Sequence, residues 1–568
     1  MLTLSEPFNL VDGTRIVSGK VPAVIFDEKK IDAIFGSLNQ CRLPGAAVGI
    51  ALAGRPVYRK GFGLANMELP VVLTPSIRLR IGSTTKHFTC LAYLLLCQDG
   101  KAGIDDSVGK YFPELHPVIH KVTMRQLMGN TSGIRDVYHL VDLFNDSYCK
   151  YAGAAQSIRS DELLAMYREI DDVNVPPDTT WIYNNGGWLL LSAAIEKISG
   201  ASLERFMKDR IFEPVGMHDT LLLRSDTNFI ENRASQHVVN TNGGFERLYW
   251  GMDSHVGAGA MVSTVDDMLR WMAHMDAPIV GNEHTWRHMK SSGRLVNGTF
   301  TGYGLGLVID SYRGIKTLHH GGNALGGNAQ MLKVPELGLD VVIIVNRQDV
   351  SGVALTYEVL DACVTNLSPQ SEPCRPPFSK GTYRSPASGR VVQLYDRDGR
   401  QFASVGGLDL PVERDANGVL WCTDIWREGK VGVKLIGGAE APEEIRLMEF
   451  GNIDELVLEK NSFKEVDASR ILGAYRLSGA VVEALIQENS TDTVLHAAGP
   501  FGAVDYRLEA LSELIWRAKP AAPSRVGYLG GILIFSKDRS AFTFSNYQMR
   551  SLVFRRVSES PSVIQPRH

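Results

Sequence analysis

The spacing of hydrophobic residues changes character about two thirds of the way along the chain. Before residue 365, apolar positions in Asp161–Ile170 and Leu189–Ile198 recur with helical spacing, whereas 339–346 (LDVVIIVN) has the continuous apolar run of a buried strand. Beyond residue 380, short segments alternate apolar and polar residues and are separated by Gly, Asp and Asn. The pattern therefore predicts a region of mixed helices and strands, followed by an all-β region.

A segment that favours neither helix nor strand joins the two regions. Residues 368–380 (SPQSEPCRPPFSK) contain four prolines, which lack a backbone N–H and interrupt regular structure. We therefore interpret this segment as a linker.

The all-β region contains an internal repeat. Three short motifs recur in the same order about 92 to 96 residues downstream: GTYR at 381–384 as GAYR at 473–476, VLW at 419–421 as LIW at 514–516, and LVL at 456–458 as LVF at 552–554. This favours two copies of one β-unit over a chance similarity between generic strands. Each unit is long enough to close into a small barrel without exposed strand edges. We expect domains at residues 1–367, 378–465 and 466–568.

Composition narrows the classes of function. The chain has 568 residues, which exceeds what one hydrophobic core normally holds. The formal net charge is −4 and charged residues make up 21%, so no basic surface typical of nucleic-acid binding is expected. The longest apolar run, Cys90–Cys97, is far shorter than the roughly 20 residues that cross a bilayer. The first residues include Glu6 and lack the basic start of a signal peptide. We expect a cytoplasmic protein that binds neither nucleic acid nor membrane.

The cysteines predict neither disulfides nor a metal site. There are seven, an odd number, and they are scattered along the chain without a CxxC pair. The zinc-protease motif HExxH is also missing from the sequence. We therefore predict chemistry that requires no metal and no cofactor.

Three motifs contain side chains that could take part in catalysis. The first is Ser83-Thr-Thr-Lys86, which leads into the apolar run. A serine and a lysine three residues apart lie on one face of the first turn of a helix. The free N–H groups and the dipole at that end favour negative charge developing on Ser83. A lone SxxK occurs by chance, and Ser83 as an ordinary helix cap is the structural alternative.

The second motif is PDTTWIYNNGGW at residues 177–188, which precedes a predicted helix. Its Tyr183-Asn-Asn185 segment can present a phenol and an amide together, although Tyr183 also suits a half-buried core position. The third motif is LHHGGN at residues 318–323. Its glycines allow a substrate backbone to approach a strand closely, or mark a bulge.

Together, in this order, the three motifs resemble those of the serine β-lactamase and penicillin-binding-protein superfamily, in particular its class C β-lactamase-like and D-aminopeptidase-like branch. The flanking segments LMGNTSGI (127–134), GAMVSTVDDM (259–268) and YGLGL (303–307) fit the same resemblance. The resemblance covers about residues 35–350, and the two β-units resemble the paired C-terminal barrels of D-aminopeptidases. It implies an α+β catalytic domain, with an antiparallel sheet flanked by helices and an all-helical part, followed by two small antiparallel β-barrels.

The resemblance also implies roles for individual residues. Ser83 is the nucleophile, Lys86 and Tyr183 activate it, and the backbone N–H groups of Ser83 and Asn323 form an oxyanion hole. The remaining implied site residues are Asn185, which holds the substrate's amide carbonyl, His320, which orients Tyr183 or contacts the substrate, and Gly321 and Gly322, which follow His320.

The sequence departs from the family pattern at several positions. Asn130 replaces a common His, and His320 replaces the Lys of class C β-lactamases. In D-aminopeptidases a loop of the last barrel reaches the active site and can hold the substrate's ammonium with a carboxylate. The corresponding stretch here, 519–527 (KPAAPSRVG), has no carboxylate, and Arg525 instead favours a substrate carboxylate.

We therefore predict a serine hydrolase that acts through an acyl-enzyme. The expected activity is that of a D-aminopeptidase, which releases N-terminal D-residues from small peptides or amides. An esterase, a β-lactamase, a D,D-carboxypeptidase and a non-catalytic penicillin-binding-like protein are the alternatives. The expected partners are a small molecule or short peptide as substrate and, in a homo-oligomer, further copies of the chain.

Overall fold

The structure, a computed structural model, consists of an α+β part followed by two β-barrels. It describes residues 21–144, 159–225, 228–240, 242–247, 256–369, 380–415, 417–423, 431–437, 442–460, 466–478, 482–499, 502–521 and 530–558. The last strand of the α+β part ends at Thr365 and the first barrel strand begins at Gly381, on either side of the proline-rich segment.

The strands of the α+β part are β1 (Ala23–Val24), β2 (Ala46–Leu52), β3 (Arg55–Phe62), β4 (Leu64–Asn66), β5 (Val71–Val72), β6 (Leu79–Arg80), β7 (Leu221–Leu222), β8 (His237–Val239), β9 (Phe245–Arg247), β10 (Met261–Ser263), β11 (Val308–Tyr312), β12 (Ile315–Ala324), β13 (Gly327–Val334), β14 (Leu339–Val345) and β15 (Val364–Thr365). Six of them form the main antiparallel sheet, in the order β11-β12-β13-β14-β2-β3. The buried strand predicted at residues 339–346 is β14, and it lies inside the sheet between β13 and β2.

Helices cover both faces of this sheet. The α-helices of the α+β part in the described residues are α1 (Glu28–Ile34), α2 (Thr85–Gln98), α3 (Val108–Tyr111), α4 (Met124–Met128), α5 (Val137–Leu143), α6 (Ser160–Glu169), α7 (Asn185–Ser199), α8 (Leu203–Met207), α9 (Glu213–Val215), α10 (Val256–Gly259), α11 (Val265–Asp276), α12 (Glu283–Met289) and α13 (Gly352–Cys363). The two helices predicted from apolar spacing are α6 and α7, so those predictions are confirmed. None of the helices in the described ranges is both long enough and apolar enough to cross a membrane.

Helix α2 forms the centre of the α+β core. Its residues from Thr85 to Leu96 are buried on every side, which is typical of a helix that passes through the interior of a domain. It packs against α7, α10 and α12, while α11 covers one face of the sheet and α1 and α13 cover the other. The Ser83–Lys86 motif thus leads into a helix that is buried on every side.

Each of the two C-terminal units is a closed eight-stranded antiparallel barrel. The first consists of β16 (Gly381–Arg384), β17 (Val391–Arg397), β18 (Arg400–Val405), β19 (Leu408–Arg414), β20 (Val419–Cys422), β21 (Val431–Ile436), β22 (Glu444–Glu449) and β23 (Asn452–Leu458). The second consists of β24 (Gly473–Leu477), β25 (Glu483–Glu488), β26 (Thr493–Gly499), β27 (Gly502–Ala510), β28 (Ile515–Pro520), β29 (Gly531–Phe535), β30 (Ala541–Ser545) and β31 (Leu552–Arg556).

The barrels confirm the duplication predicted from the repeat. Tyr383 and Tyr475 lie in the first strand of their barrels, and both are buried. Trp421 and Trp516 both lie in the fifth strand, and the third repeated motif lies in the eighth. In each barrel the eighth strand pairs with the first and closes the structure. The repeated motifs therefore occupy equivalent positions of one architecture.

Candidate active site

Ser83 lies on a tight turn that connects β6 to α2. The turn, Gly82–Thr84, is a 3₁₀ helix, and α2 begins directly after it at Thr85. This differs from the expectation that Ser83 occupies the first α-helical turn. The backbone reason lies in Gly82, whose φ of +52° is in the left-handed region that glycine adopts without a Cβ penalty. The Ser83 hydroxyl nevertheless lies next to the Lys86 side chain, with 3.0 Å between Lys86 Nζ and Ser83 Oγ.

Lys86 is fully buried, and its ammonium group contacts uncharged acceptors. Its Nζ lies 2.9 Å from Asn185 Oδ1 and 2.7 Å from the carbonyl oxygen of Ala258, in addition to the Ser83 contact. Burial lowers the pKa of Lys86 well below its ordinary value, and the negative charge of Asp136 opposes this shift only in part. The site therefore favours an amine that can accept a proton from its neighbour.

Tyr183 completes a three-residue cluster around the serine oxygen. The Tyr183 hydroxyl is 2.7 Å from Ser83 Oγ, and Lys86 Nζ lies 4.6 Å from the centre of the Tyr183 ring. The electron-rich ring face stabilises the ammonium form of the lysine. Ser83 Oγ is consequently within hydrogen-bond distance of two groups that can exchange protons with it.

Strand β12 comes into direct backbone contact with the serine turn. A Cβ at Gly322 would lie 1.7 Å from the carbonyl oxygen of Ile81 and 3.1 Å from the backbone nitrogen of Ser83. A Cβ at Gly82 would lie 2.7 Å from the backbone nitrogen of Asn323. Glycine at positions 82 and 322 is thus required for this approach, which brings the Ser83 and Asn323 backbones to one edge of the sheet.

The ring of His320 lies between Tyr303 and its own strand. His320 Nε2 is 3.0 Å from the Tyr303 hydroxyl, and Nδ1 is 2.6 Å from the carbonyl oxygen of Gly321. Because a carbonyl can only accept, Nδ1 carries the proton and Nε2 accepts from Tyr303. Burial raises the pKa of Tyr303 well above its ordinary value, so its hydroxyl remains a donor. The expected partners of His320 were Tyr183 or a substrate, and the structure adds Tyr303 as a partner.

Asn130, which departs from the family pattern, has a conformation that suits asparagine. Its φ is +57°, a left-handed value that Asn tolerates better than most residues. Its Oδ1 accepts hydrogen bonds from the Asn184 backbone N–H at 3.3 Å and from Trp188 Nε1 at 3.2 Å. Asn130 therefore connects its own turn to the segment that carries Tyr183.

The carboxylate of Asp136 caps two helices at once. It accepts from the backbone N–H groups of Tyr138 and His139 at the start of α5, and from those of Asn185 and Gly186 at the start of α7. Burial raises the pKa of Asp136, and the four backbone donors oppose that rise. This cap fixes Asn185, whose side chain in turn contacts Lys86.

Of the predicted site residues, the structure brings Ser83, Lys86, Tyr183 and Asn185 together, and it places His320 and 321–323 on the adjacent strand. Arg525 lies outside the described residues. Two residues near the site were not identified from the sequence. Asp136 lies two residues after Ile134, the end of the TSGI segment, and is typical of an ordinary helix cap, and Tyr303 stands in the glycine-rich motif YGLGL.

The chain is similar in sequence to known proteins. The β-lactamase family model matches residues 31–363. A D-aminopeptidase of Cereibacter sphaeroides is 28% identical over 376 residues, which cover 65% of this chain and 69% of that protein. A D-aminopeptidase of Brucella canis is 26% identical over 401 residues, which cover 68% of this chain and 73% of that protein.

Among solved structures, an octameric penicillin-binding-protein homologue from Pyrococcus abyssi is similar in fold to almost the whole chain. It aligns with a TM-score of 0.54 and 19% identity over 93% of this chain and all of that one. A penicillin-binding protein from Bacillus halodurans aligns with a TM-score of 0.51 and 20% identity over 58% of this chain and 99% of that one.

Proposed function

The chain belongs to the β-lactamase family and is a serine hydrolase of that fold, and from this premise we propose that it is a D-aminopeptidase that acts through an acyl-enzyme on Ser83. The observation that carries the proposal is the cluster at Ser83 Oγ, with Lys86 Nζ at 3.0 Å and the Tyr183 hydroxyl at 2.7 Å. Both proton-transfer groups are within the distance that general acid–base catalysis needs.

In the first step, Ser83 Oγ attacks the carbonyl carbon of the substrate amide. The Ser83 proton passes to Lys86 or Tyr183. Burial favours Lys86 as a proton acceptor because it lowers the pKa of the lysine. The tetrahedral intermediate then collapses, and the same pair returns a proton to the leaving amine. Water attacks the resulting ester, with the pair again accepting and returning one proton.

The negative charge that develops on the substrate oxygen needs donors fixed in advance. The backbone N–H groups of Ser83 and Asn323 are our candidates, since the glycines at 82 and 322 bring these two backbones together. Fixed donors of this kind contribute about 3–4 kcal/mol each to transition-state stabilisation in other hydrolases. The hydrogen bond between Tyr303 and His320 supports strand β12, which carries Asn323. We propose that Asn185 binds the substrate's amide carbonyl through its Nδ2 group while its Oδ1 contacts Lys86.

The substrate class rests on the relatives. D-aminopeptidases match about two thirds of this chain, and the paired barrels that were expected from that resemblance are present in the fold. We therefore propose short peptides or amides with an N-terminal D-residue as substrates. The octameric penicillin-binding-protein homologue aligns with 93% of this chain, and on that basis we propose a homo-oligomer, which light scattering of the purified protein tests.

The activity is tested with a panel of D- and L-alanine p-nitroanilides, p-nitrophenyl esters and nitrocefin. We expect the D-alanine anilide to have the highest kcat/KM, and Ser83→Ala to lose at least about a thousandfold in kcat. Mass spectrometry of the trapped acyl-enzyme should locate the label on Ser83. A label on another serine would refute the nucleophile assignment, and preferential hydrolysis of nitrocefin would replace the aminopeptidase with a β-lactamase.

A further inference from the structure

We propose that the two barrels hold Tyr183 in its reactive position, with Phe450 of the first barrel and Gln548 of the second acting as positioning residues. The inference deepens the proposed function and rests on Tyr183 taking part in it. Both barrels contact residues 177–184, which we call the tyrosine loop.

The second barrel contacts the main chain of Tyr183 itself. Gln548, in the turn between β30 and β31, donates a hydrogen bond from its Nε2 to the Tyr183 carbonyl oxygen at 3.2 Å. Two further hydrogen bonds hold the backbone of Gln548 in place. Asn546 Oδ1 accepts from the Gln548 backbone N–H at 3.0 Å, and Asn174 Nδ2 donates to the Gln548 carbonyl at 3.2 Å.

The first barrel contacts the tyrosine loop through aromatic packing. Phe450 lies in the turn between β22 and β23, and its ring centre is 4.2 Å from that of Trp181. Trp181 in turn lies 6.1 Å from the Tyr183 ring and 5.4 Å from the Tyr303 ring. A single aromatic cluster therefore runs from the barrel to both tyrosines near Ser83, within the range in which aromatic pairs stabilise one another.

The two turns are also attached to each other, so they can act as one support. Glu449, the neighbour of Phe450, is buried and forms ion pairs with Arg390 of its own barrel at 2.7 Å and with Arg550 of the second barrel at 3.5 Å. Asn546 additionally contacts the buried His139 of α5 at 2.8 Å. Misplacement of a proton-transfer group by about 1 Å can cost about a hundredfold in rate, so a support of this kind affects chemistry directly.

The chain offers a matched control for Gln548. Tyr506 of the second barrel also donates one hydrogen bond across the same interface, to the carbonyl oxygen of Leu143 at 2.7 Å, and this acceptor lies on α5 rather than in the tyrosine loop. Gln548→Leu and Tyr506→Phe each delete one donor with little change in size. A purely structural role of the interface predicts similar effects for both variants.

The test uses the full-length protein and a fluorophosphonate probe, whose reaction with Ser83 does not depend on the identity of the natural substrate. We expect Gln548→Leu to lower the maximal labelling rate about tenfold, with less than a twofold change in the probe concentration for half-maximal rate. Tyr506→Phe should leave both values within about twofold. Phe450→Leu, which reaches the loop from the other barrel, should resemble Gln548→Leu and serves as the second variant if that one folds poorly.

Hydrogen exchange supplies a readout that does not require activity. The backbone N–H groups of Ile182, Asn184 and Asn185 are hydrogen-bonded to Asn130 and Asp136, so loosening of the tyrosine loop should speed their exchange. We expect faster exchange in Gln548→Leu and not in Tyr506→Phe. Equal effects of the two variants, or unchanged exchange in the loop, would overturn the proposal. Failure of the wild-type protein to react with the probe would refute the proposed function, while the exchange data would still decide the positioning role.

Discussion

Two buried lysines of the α+β part differ in what surrounds them. The side chains of Lys86 and Lys333 are 0% and 2% exposed, so burial alone does not distinguish them. Lys86 contacts a hydroxyl, an amide oxygen and a backbone carbonyl. Lys333, on β13, contacts the carboxylates of Asp340 at 2.5 Å and Asp276 at 3.0 Å.

The difference determines what each lysine can do. A buried cation without an adjacent counter-ion is destabilised relative to its neutral form, and Lys86 accordingly has a strongly lowered pKa. A buried lysine that contacts two carboxylates, as Lys333 does, connects the elements that carry them. The same residue type is therefore a candidate base at position 86 and a structural crosslink between β13, β14 and α11 at position 333.

The largest effect we expect comes from removing Lys86, which contacts three uncharged acceptors. Lys86→Ala should lower the rate of Ser83 acylation by about a thousandfold or more, because the proton acceptor is lost. Lys86→Arg should not restore the rate, since a guanidinium does not deprotonate in proteins. Stopped-flow or burst kinetics with the D-alanine anilide measures both.

The pH dependence of the acylation rate in the wild-type protein also tests Lys86 as the proton acceptor. Because burial lowers the pKa of Lys86, the acylation rate should rise with pH and level off well below the ordinary lysine value of about 10.5. A rate that climbs until pH 10.5, or near-normal turnover of Lys86→Arg, would contradict a neutral Lys86 as the acceptor.

The next largest effect concerns the paired lysine and should appear in stability. Lys333→Ala leaves the buried Asp340 carboxylate with its main partner removed, which costs about 3–5 kcal/mol in comparable buried pairs. Hydrogen exchange of the β13 and β14 amides measures this loss as a lower free energy of opening. The labelling rate per folded molecule should stay within about twofold of wild type.

An apolar replacement of the whole pair is the control. Lys333→Met combined with Asp340→Leu should recover most of the loss, because neither charge remains buried. A Lys333→Ala protein of normal stability but with slow acylation would show that the two lysines are not separated in function as the contacts indicate.

A smaller effect is expected from the titration of Asp340. Burial raises its pKa to about 6, with the charge of Lys333 opposing the rise, whereas an exposed aspartate titrates near about 3.9. Between these values the folded state holds more protons than the unfolded state, so stability should fall as the pH rises from about 4 to about 6. The decrease is at most about 3 kcal/mol, and Asp340→Asn should remove it from the exchange of β14 amides. Identical slopes in both proteins would assign the dependence to other groups.

Local patterns predicted the parts of the fold and site that depend on neighbouring residues. Ser83 and Lys86 are three positions apart, and the repeated GTYR and GAYR segments predicted the duplicated β-units. The helices α6 and α7 and the strand β14 followed from hydrophobic periodicity, which reports on the faces that each element buries.

Contacts between distant segments were beyond such reasoning. Gln548 is separated from Tyr183 by 365 residues, and the sequence around Gln548 is typical of an ordinary turn. Lys333 alternates with apolar neighbours as a solvent-facing strand residue would, but in the structure it is buried and contacts Met272 and Asp276 of α11. The same limit applies to the contact between His320 and Tyr303, since it depends on how β12 meets a preceding loop.

The smallest effect we expect is the additional loss when Tyr183→Phe is introduced into Lys86→Ala. In the wild-type background, Tyr183→Phe removes a hydroxyl that lies 2.7 Å from Ser83 Oγ, and the rate should fall about a hundredfold, as for other acid–base groups. Without Lys86, however, the tyrosine has lost the group with which it shares the Ser83 proton. Substitutions of residues that act as a unit have strongly non-additive effects, so the second substitution should lower the rate by less than about threefold.

Acylation rates of the wild type, both single variants and the double variant form the cycle that measures this coupling. If the loss in the double variant equals the product of the two single losses, Lys86 and Tyr183 act independently. Lys86 would then differ from Lys333 as a single isolated base and not as part of a shared proton relay.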